Sequence, residues 1–260
     1  MARAREIETL RFEEHLVYVE RRPYQRSMRL TMKPCGTLKM TVNRGLAPGY
    51  IFDFLRDHRP WLDKAQLHFA QLRAKYPLKT FAEGESFLFL GQLRSLRLQL
   101  SLSHRVQFAL LGASEMGLRG PKDILQEPSS EARRHLLHPS LLKFYARQGR
   151  DHLEQRVRFF SRRMGLYPKG LRFAAQKTRW GSCSARGLLS FNWRLVAAPQ
   201  EVIDYVVVHE LAHLKHYNHS RAFWGLVAEE IPNWAELRGW LKANQYEFDF
   251  LARTSELFGR

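Results

Sequence analysis

Asp204-Tyr205-Val206-Val207-Val208-His209-Glu210-Leu211-Ala212-His213, with His219 six residues beyond, is the stretch that decides how the rest of the chain is read. Two histidines four apart stand one above the other on a single helix face, so both imidazoles can reach one metal ion. Glu210 points about 100° further round the helix and is placed to address a metal-activated water rather than the metal. Val202, Ile203, Tyr205, Val206, Val207 and Val208 make the lead-in apolar nearly all round, which predicts a buried helix. Histidines on a buried helix need partners, so an amphipathic helix with solvated histidines fits poorly.

The residues on either side extend this reading. Ala198-Pro199-Gln200-Glu201 starts the helix, with a proline in its first turn and an acid near its positive end. Lys215, His216, Tyr217 and Asn218 read as its frayed end, with Asn218 suited to the N-cap of a following helix. That turn lets His219 swing back to the metal. His216 competes as third ligand, but a straight helix cannot easily wrap three ligands around a tetrahedral ion. The expected site is therefore one Zn2+ on His209, His213 and His219, with Glu210 as catalytic base. Ser220 to Ala228 has apolar residues at helical spacing and is expected to pack behind the site.

A chain of 260 residues, 45% hydrophobic and 12% aromatic, can bury a proper core. Its start has no apolar leader segment and no stretch approaches eighteen apolar residues, so a cytoplasmic protein without a membrane anchor is expected. Cys35 and Cys183 are the only cysteines, too few and too far apart for a disulfide framework. The net charge of +17 is uneven: residues 1–170 carry 31 Lys and Arg against 16 Asp and Glu, while residues 171–260 carry 11 against 9. Clusters such as Arg21, Arg22, Arg26 and Arg29, or Arg156, Arg158, Arg162 and Arg163, suit contact with nucleic acid, nucleotides or acidic proteins. They suit a solvated basic surface equally well, since no aromatic-interleaved nucleic-acid motif accompanies them.

Short β-forming segments at 16–20, 28–32 and 38–42, with a turn at Pro34-Cys35-Gly36, predict a small antiparallel unit. Residues 48–76 read as a helix interrupted at Pro60. A hairpin follows through Gly91, with a further strand at 106–111. Residues 112–130, rich in Gly, Pro and Ser, carry a linker signal, and 131–164 is helical up to Gly165. The expected class is α+β. A basic β-rich N-terminal region (1–130) with a helix near 48–76 precedes a compact zincin-like domain (131–260), which holds a small antiparallel sheet beside the metal helix.

Strands are expected at 171–174, 178–183 and 188–195, the last two joined by an Arg186-Gly187 turn. A sheet beside the metal helix offers an edge on which an extended peptide can pair. Lys177, Arg179 and Asn192 are the candidate substrate-binding residues, Arg179 serving either a substrate carbonyl or phosphate or a structural ion pair. Cys183 reads as a packed thiol, because three histidines already complete the protein's share of a catalytic zinc site.

Lys177-Thr178-Arg179-Trp180-Gly181-Ser182-Cys183-Ser184, Asn192-Trp193-Arg194-Leu195, the run from Asp204 to His213, Asn218-His219-Ser220 and Phe223-Trp224 together resemble the YgjP-like family of bacterial metallopeptidase-related proteins. The likeness is strongest over residues 140–245 and looser earlier, where Phe81 to Gly91 resembles the family's Gly-containing hairpin. It implies zinc at His209, His213 and His219, Glu210 as base, a zincin fold and kinship with SprT-type metalloproteases acting on DNA-bound proteins. Some relatives are described as nucleoside triphosphate pyrophosphatases, notably for UTP. Trp234 stands where many relatives have a Tyr.

Three functions follow as expectations. The first is hydrolysis of a peptide bond by a zinc-activated water. The second is a nucleoside triphosphate pyrophosphatase using the same ligands, with Lys177, Arg179 or Arg194 holding phosphates; against it stands the absence of a Gly-rich phosphate loop. The third is a nucleic-acid-associated binding module with structural zinc, which gives Glu210 no task and lacks a fourth protein ligand.

Overall fold

The computed structural model describes residues 6–32, 37–176 and 179–251, so the expected turn at Pro34-Cys35-Gly36 and the candidate Lys177 lie outside the described residues. The chain divides into two compact units, one up to Leu78 and one from Lys79 to Leu251.

In the N-terminal unit, β1 (Glu6–Phe12), β2 (His15–Arg22), β3 (Arg29–Met32) and β4 (Leu38–Asn43) form a sheet in the order β1-β2-β4-β3. The pairs β1/β2 and β3/β4 are antiparallel and β2/β4 is parallel. Alternation along β2 and β4 sends Val17, Val19, Leu38, Met40 and Val42 to one face. There they meet Ile51 of α1 (Pro48–Asp57), with Leu55, and Leu62 of α2 (Arg59–Lys75). The helical stretch expected at 48–76 is thus two helices that break at His58, with Pro60 in the first turn of the second, where its missing N–H costs nothing.

The second unit opens with the same strand order. β5 (Ser86–Phe89), β6 (Gln92–Leu100), β7 (Gln107–Leu111) and β8 (Glu115–Gly120) pair as β5-β6-β8-β7, again with a parallel centre and antiparallel flanks. β8 and α3 (Lys122–Leu125) occupy the stretch that reads as a linker. The correction has a packing cause: Met116 and Leu118 are core residues, and a side chain at Gly117 would meet Leu111 Cδ1 at 2.9 Å. Glycine is there for close packing, and the boundary between units falls after Leu78.

α4 (Ser130–Met164) begins at the Ser129 cap, whose hydroxyl accepts from the Ala132 N–H, and ends on left-handed Gly165 as expected. A second sheet follows from β9 (Gly170–Ala174), β10 (Gly181–Cys183) and β11 (Leu188–Asn192), in the order β10-β11-β9. It is mixed rather than purely antiparallel, because β9 runs parallel to β11. The strand expected at 188–195 turns at Trp193 into a 3-10 segment, Trp193–Ala197, capped by the Asn192 side chain. α5 (Gln200–Ala212), α6 (Arg221–Glu230), α7 (Trp234–Asn244) and a last 3-10 segment, Gln245–Leu251, complete the α+β unit.

Three contacts fix the metal helix α5. Arg156 of α4 grips Asp204 with both arms, Nε to Oδ1 at 2.6 Å and Nη2 to Oδ2 at 2.9 Å, and Gln200 adds a third donor at 2.8 Å. At the tip of the β5–β6 hairpin, Leu90 and Gly91 donate to the carbonyls of Val196 and Ala197 at 2.7 and 3.1 Å. A side chain at Gly91 would strike Pro199 within 3.0 Å, so the hairpin lies directly on the helix start. Finally, Val202, Ile203, Val206, Val207, Val208 and Leu211 are buried. Each contributes about 1.5–3 kcal/mol relative to exposure.

Candidate metal centre

His209 stands on the last turn of α5 and His213 caps its C-terminal end, and the chain turns back after the helix so that His219 reaches them from beyond its end. One ring nitrogen from each lies within 4.8 Å of the other two, and the Nε2 atoms of His209 and His219 are 3.1 Å apart. His216 is absent from this group among the described residues. Its carbonyl instead accepts from His213 Nδ1 at 3.1 Å, fixing the tautomer that leaves Nε2 as a lone-pair donor. Cys183, half-buried, also stays outside the group. The helix cap expected at Asn218 is supplied by Ser220, which accepts from the Phe223 N–H at 3.4 Å.

Phe223 is fully buried, with its ring 5.0, 4.6 and 4.8 Å from those of His209, His213 and His219. It is an apolar floor common to the three imidazoles. Trp224 stacks on His219 at 5.5 Å and on Trp234 at 3.9 Å. The residue that departs from the family's Tyr therefore buttresses the third imidazole through a second indole.

Electrostatics favour the uncharged imidazoles that a cation needs. Burial, then the neighbouring rings of His213 and His219, push His209 down to about 3, with Arg238 adding in the same direction. His219 is lowered chiefly by desolvation, and Arg238 contributes there too. Arg238, on α7 and 5.6 Å above the Trp224 ring, is a charge at the centre that sequence reading missed. Its only sequence signal is one helical turn of separation from Trp234.

Glu210 is 5% exposed, and its Oε2 has no hydrogen-bond partner. Burial pushes its carboxyl up to about 8, opposed by the positive charge of Arg179. A cation among the imidazoles adds to that opposition. β10 passes over this carboxylate so closely that a side chain at Gly181 would lie 2.4 Å from Oε1. Three convergent imidazole nitrogens beside an unsatisfied buried carboxylate fit a divalent metal.

The raised Glu210 has a stability consequence in the metal-free protein. The folded chain keeps a proton that the unfolded chain sheds near pH 4.5. The resulting stabilisation is complete below that pH and is lost as pH rises through about 8. Between those limits metal-free wild type is expected to lose on the order of 4 kcal/mol relative to Glu210→Gln, measured by urea unfolding. Parallel stability curves for the two proteins would contradict it.

Of the expected substrate-binding residues, Arg179 is exposed and its charge reaches Glu210. Asn192 is 3% exposed and committed elsewhere: its amide donates to the Gln176 carbonyl at 2.9 Å and the Arg179 carbonyl at 3.5 Å, and its oxygen accepts from the Arg194 N–H. It holds the chain that carries Arg179 rather than substrate. Arg194, one of the three residues expected as alternatives for holding phosphates, is 8% exposed and lies over the Trp193 ring.

An HExxH helix closed by a third histidine from beyond its end, floored by aromatics and overlain by a strand edge, defines a metallopeptidase-type domain. A family model described as YgjP-like, metallopeptidase domain, matches residues 26–244, and the chain belongs to that family. Among solved structures, the crystal structure of the metallopeptidase zymogen of Pyrococcus abyssi abylysin is similar at 23% identity and a TM-score of 0.33, over 36% of this chain and 95% of that one. No curated protein matches. No helix among the described residues is long and apolar enough to cross a membrane.

Proposed function

We propose that this chain is a zinc-dependent metallopeptidase that hydrolyses a peptide bond in a strand laid along the edge of β10. The observation that carries the reading is the placement of Glu210 directly beneath that edge. Asn192 N–H donates to the Trp180 carbonyl and Ser184 N–H to the Leu188 carbonyl, so residues 180, 182 and 184 turn their backbone groups toward β11. Gly181 and Cys183 then turn theirs outward, on the side where β10 has no neighbour in its sheet. A substrate backbone has N–H and C=O groups to meet there, within reach of the base.

His209, His213 and His219 would hold the metal, and their all-nitrogen donor set suits zinc. Zinc at this position supplies Lewis-acid polarisation of the scissile carbonyl and acidifies the attacking water. Glu210 takes the water's proton and returns it to the leaving nitrogen. The positive charge of Arg179, which reaches Glu210, and that of Arg238, which reaches His209, would offset the negative charge that develops on the carbonyl oxygen.

His219→Ala is expected to lower bound zinc at least tenfold at a fixed chelator concentration, while His216→Ala keeps about one zinc per chain. Full zinc retention in His219→Ala, read by elemental analysis, would move the third ligand elsewhere. The function itself is tested by assaying zinc-loaded protein in parallel against unfolded polypeptides and a nucleoside triphosphate panel. Cleavage of polypeptide that vanishes in Glu210→Gln is expected. Triphosphate hydrolysis alone, lost in the same variant, would replace the peptidase by a pyrophosphatase.

A further inference from the structure

From Gly181, over the Glu210 carboxylate, β10 runs about 7 Å to Cys183, which lines a cleft of about 300 Å³ at that end of the strand. The cleft is walled by the chain leaving α4, by the β10–β11 turn, and by Leu214 and Tyr217 just past the metal helix. Among the described residues its only charged lining side chains are Lys169 and Arg186, both exposed and both cationic. They are held together because the Lys169 N–H donates to the Gly187 carbonyl at 2.9 Å, next to Arg186. Neither has an acidic partner among the described residues. Tyr167 and Tyr217, 68% and 72% exposed, add two aromatic rings to the lining.

We propose that this cleft is a specificity subsite that takes an acidic side chain of the substrate, a Glu or Asp about two residues from the scissile bond. The proposal rests on the metallopeptidase reading, because the strand lying on β10 delivers the side chain. Successive residues of a strand alternate between faces. Gly181, which faces Glu210, and Cys183, which lines the cleft, therefore share a face, and alternate side chains of a paired substrate follow the same spacing. The carboxylate sits between Lys169 and Arg186, and its methylene stem rests against the tyrosine rings. A hydrophobic side chain leaves the two cations unanswered, and a basic one is repelled.

The test uses zinc-loaded, full-length Glu210→Gln protein and fluorescent decapeptides in pairs that differ only by Glu or Gln at one position. At one register the Glu peptide is expected to bind about tenfold tighter than its Gln twin. Lys169→Ala/Arg186→Ala, added to this background, should abolish that ratio. Lys143→Ala/Arg147→Ala removes the same charge from positions about 27 Å or more from Gly165 along α4, and should preserve the ratio. Equal binding of every pair, or equal loss of the ratio in both double variants, would overturn the subsite. Hydrolysis of polypeptides without Glu/Gln discrimination overturns the subsite alone. Discrimination without hydrolysis of any polypeptide by the wild type overturns the peptidase and leaves a carboxylate site.

Discussion

Glu210→Gln is expected to retain about one zinc per chain and to lose polypeptide turnover by about a thousandfold. Glutamine preserves the volume of the side chain beneath β10 and leaves all three imidazoles untouched, so binding of metal and substrate should survive. What disappears is an oxygen able to hold a proton between attack and departure. The same exchange removes a buried carboxyl raised to about 8, so the inactive protein should be the more stable one without metal at pH 8. That pairing of gain and loss is hard to obtain from a residue serving only the fold. Turnover within tenfold of wild type in the zinc-loaded variant would remove Glu210 from the chemistry.

Gly181→Ala is the second large effect. The added carbon would lie 2.4, 2.5 and 2.7 Å from Oε1, Cγ and Cδ of Glu210, all far inside van der Waals contact. Glu210 is buried on the metal helix and β10 is tied to β11, so relief must come from displacing the carboxylate by about an ångström. A shift of that size costs about a hundredfold in rate. Zinc content should stay near wild type, because none of the three imidazoles is struck. Ser182→Ala, one residue along and facing the other way, is the control and should remain close to full activity. Equal kcat in both variants would show that Glu210 has room the structure does not give it.

The buried helix α5 and the convergence of its histidines were legible in the sequence, because histidine spacing and the surrounding valines state which face the imidazoles share and how deeply the helix lies. Helix ends were legible for a similar reason: Gly165 and Pro60 leave the backbone few alternatives. Two strands, β1 and β8, were not. β1 is an edge strand with Ile7 largely exposed, and its alternation is diluted by Glu6, Glu8 and Arg11. β8 is a central strand whose glycine answers to Leu111, a contact invisible until the sheet is assembled. At the site, residue type named Asn192 and Arg194 as substrate contacts, but the directions of their side chains are set by the Gln176–Arg179 backbone and by Trp193. Arg238 and Trp234 come from α7, where the one-turn spacing of the two residues does not say which way they face.

The indole of Trp224, stacked on His219 and 3.9 Å from Trp234, makes the chain its own optical reporter. Indole emission responds to the charge and orientation of whatever lies against its face, so loading and stripping of the third ligand should be followed in real time, with no dye and no substrate. Trp234→Phe should alter that signal's amplitude while leaving its midpoint with metal concentration in place.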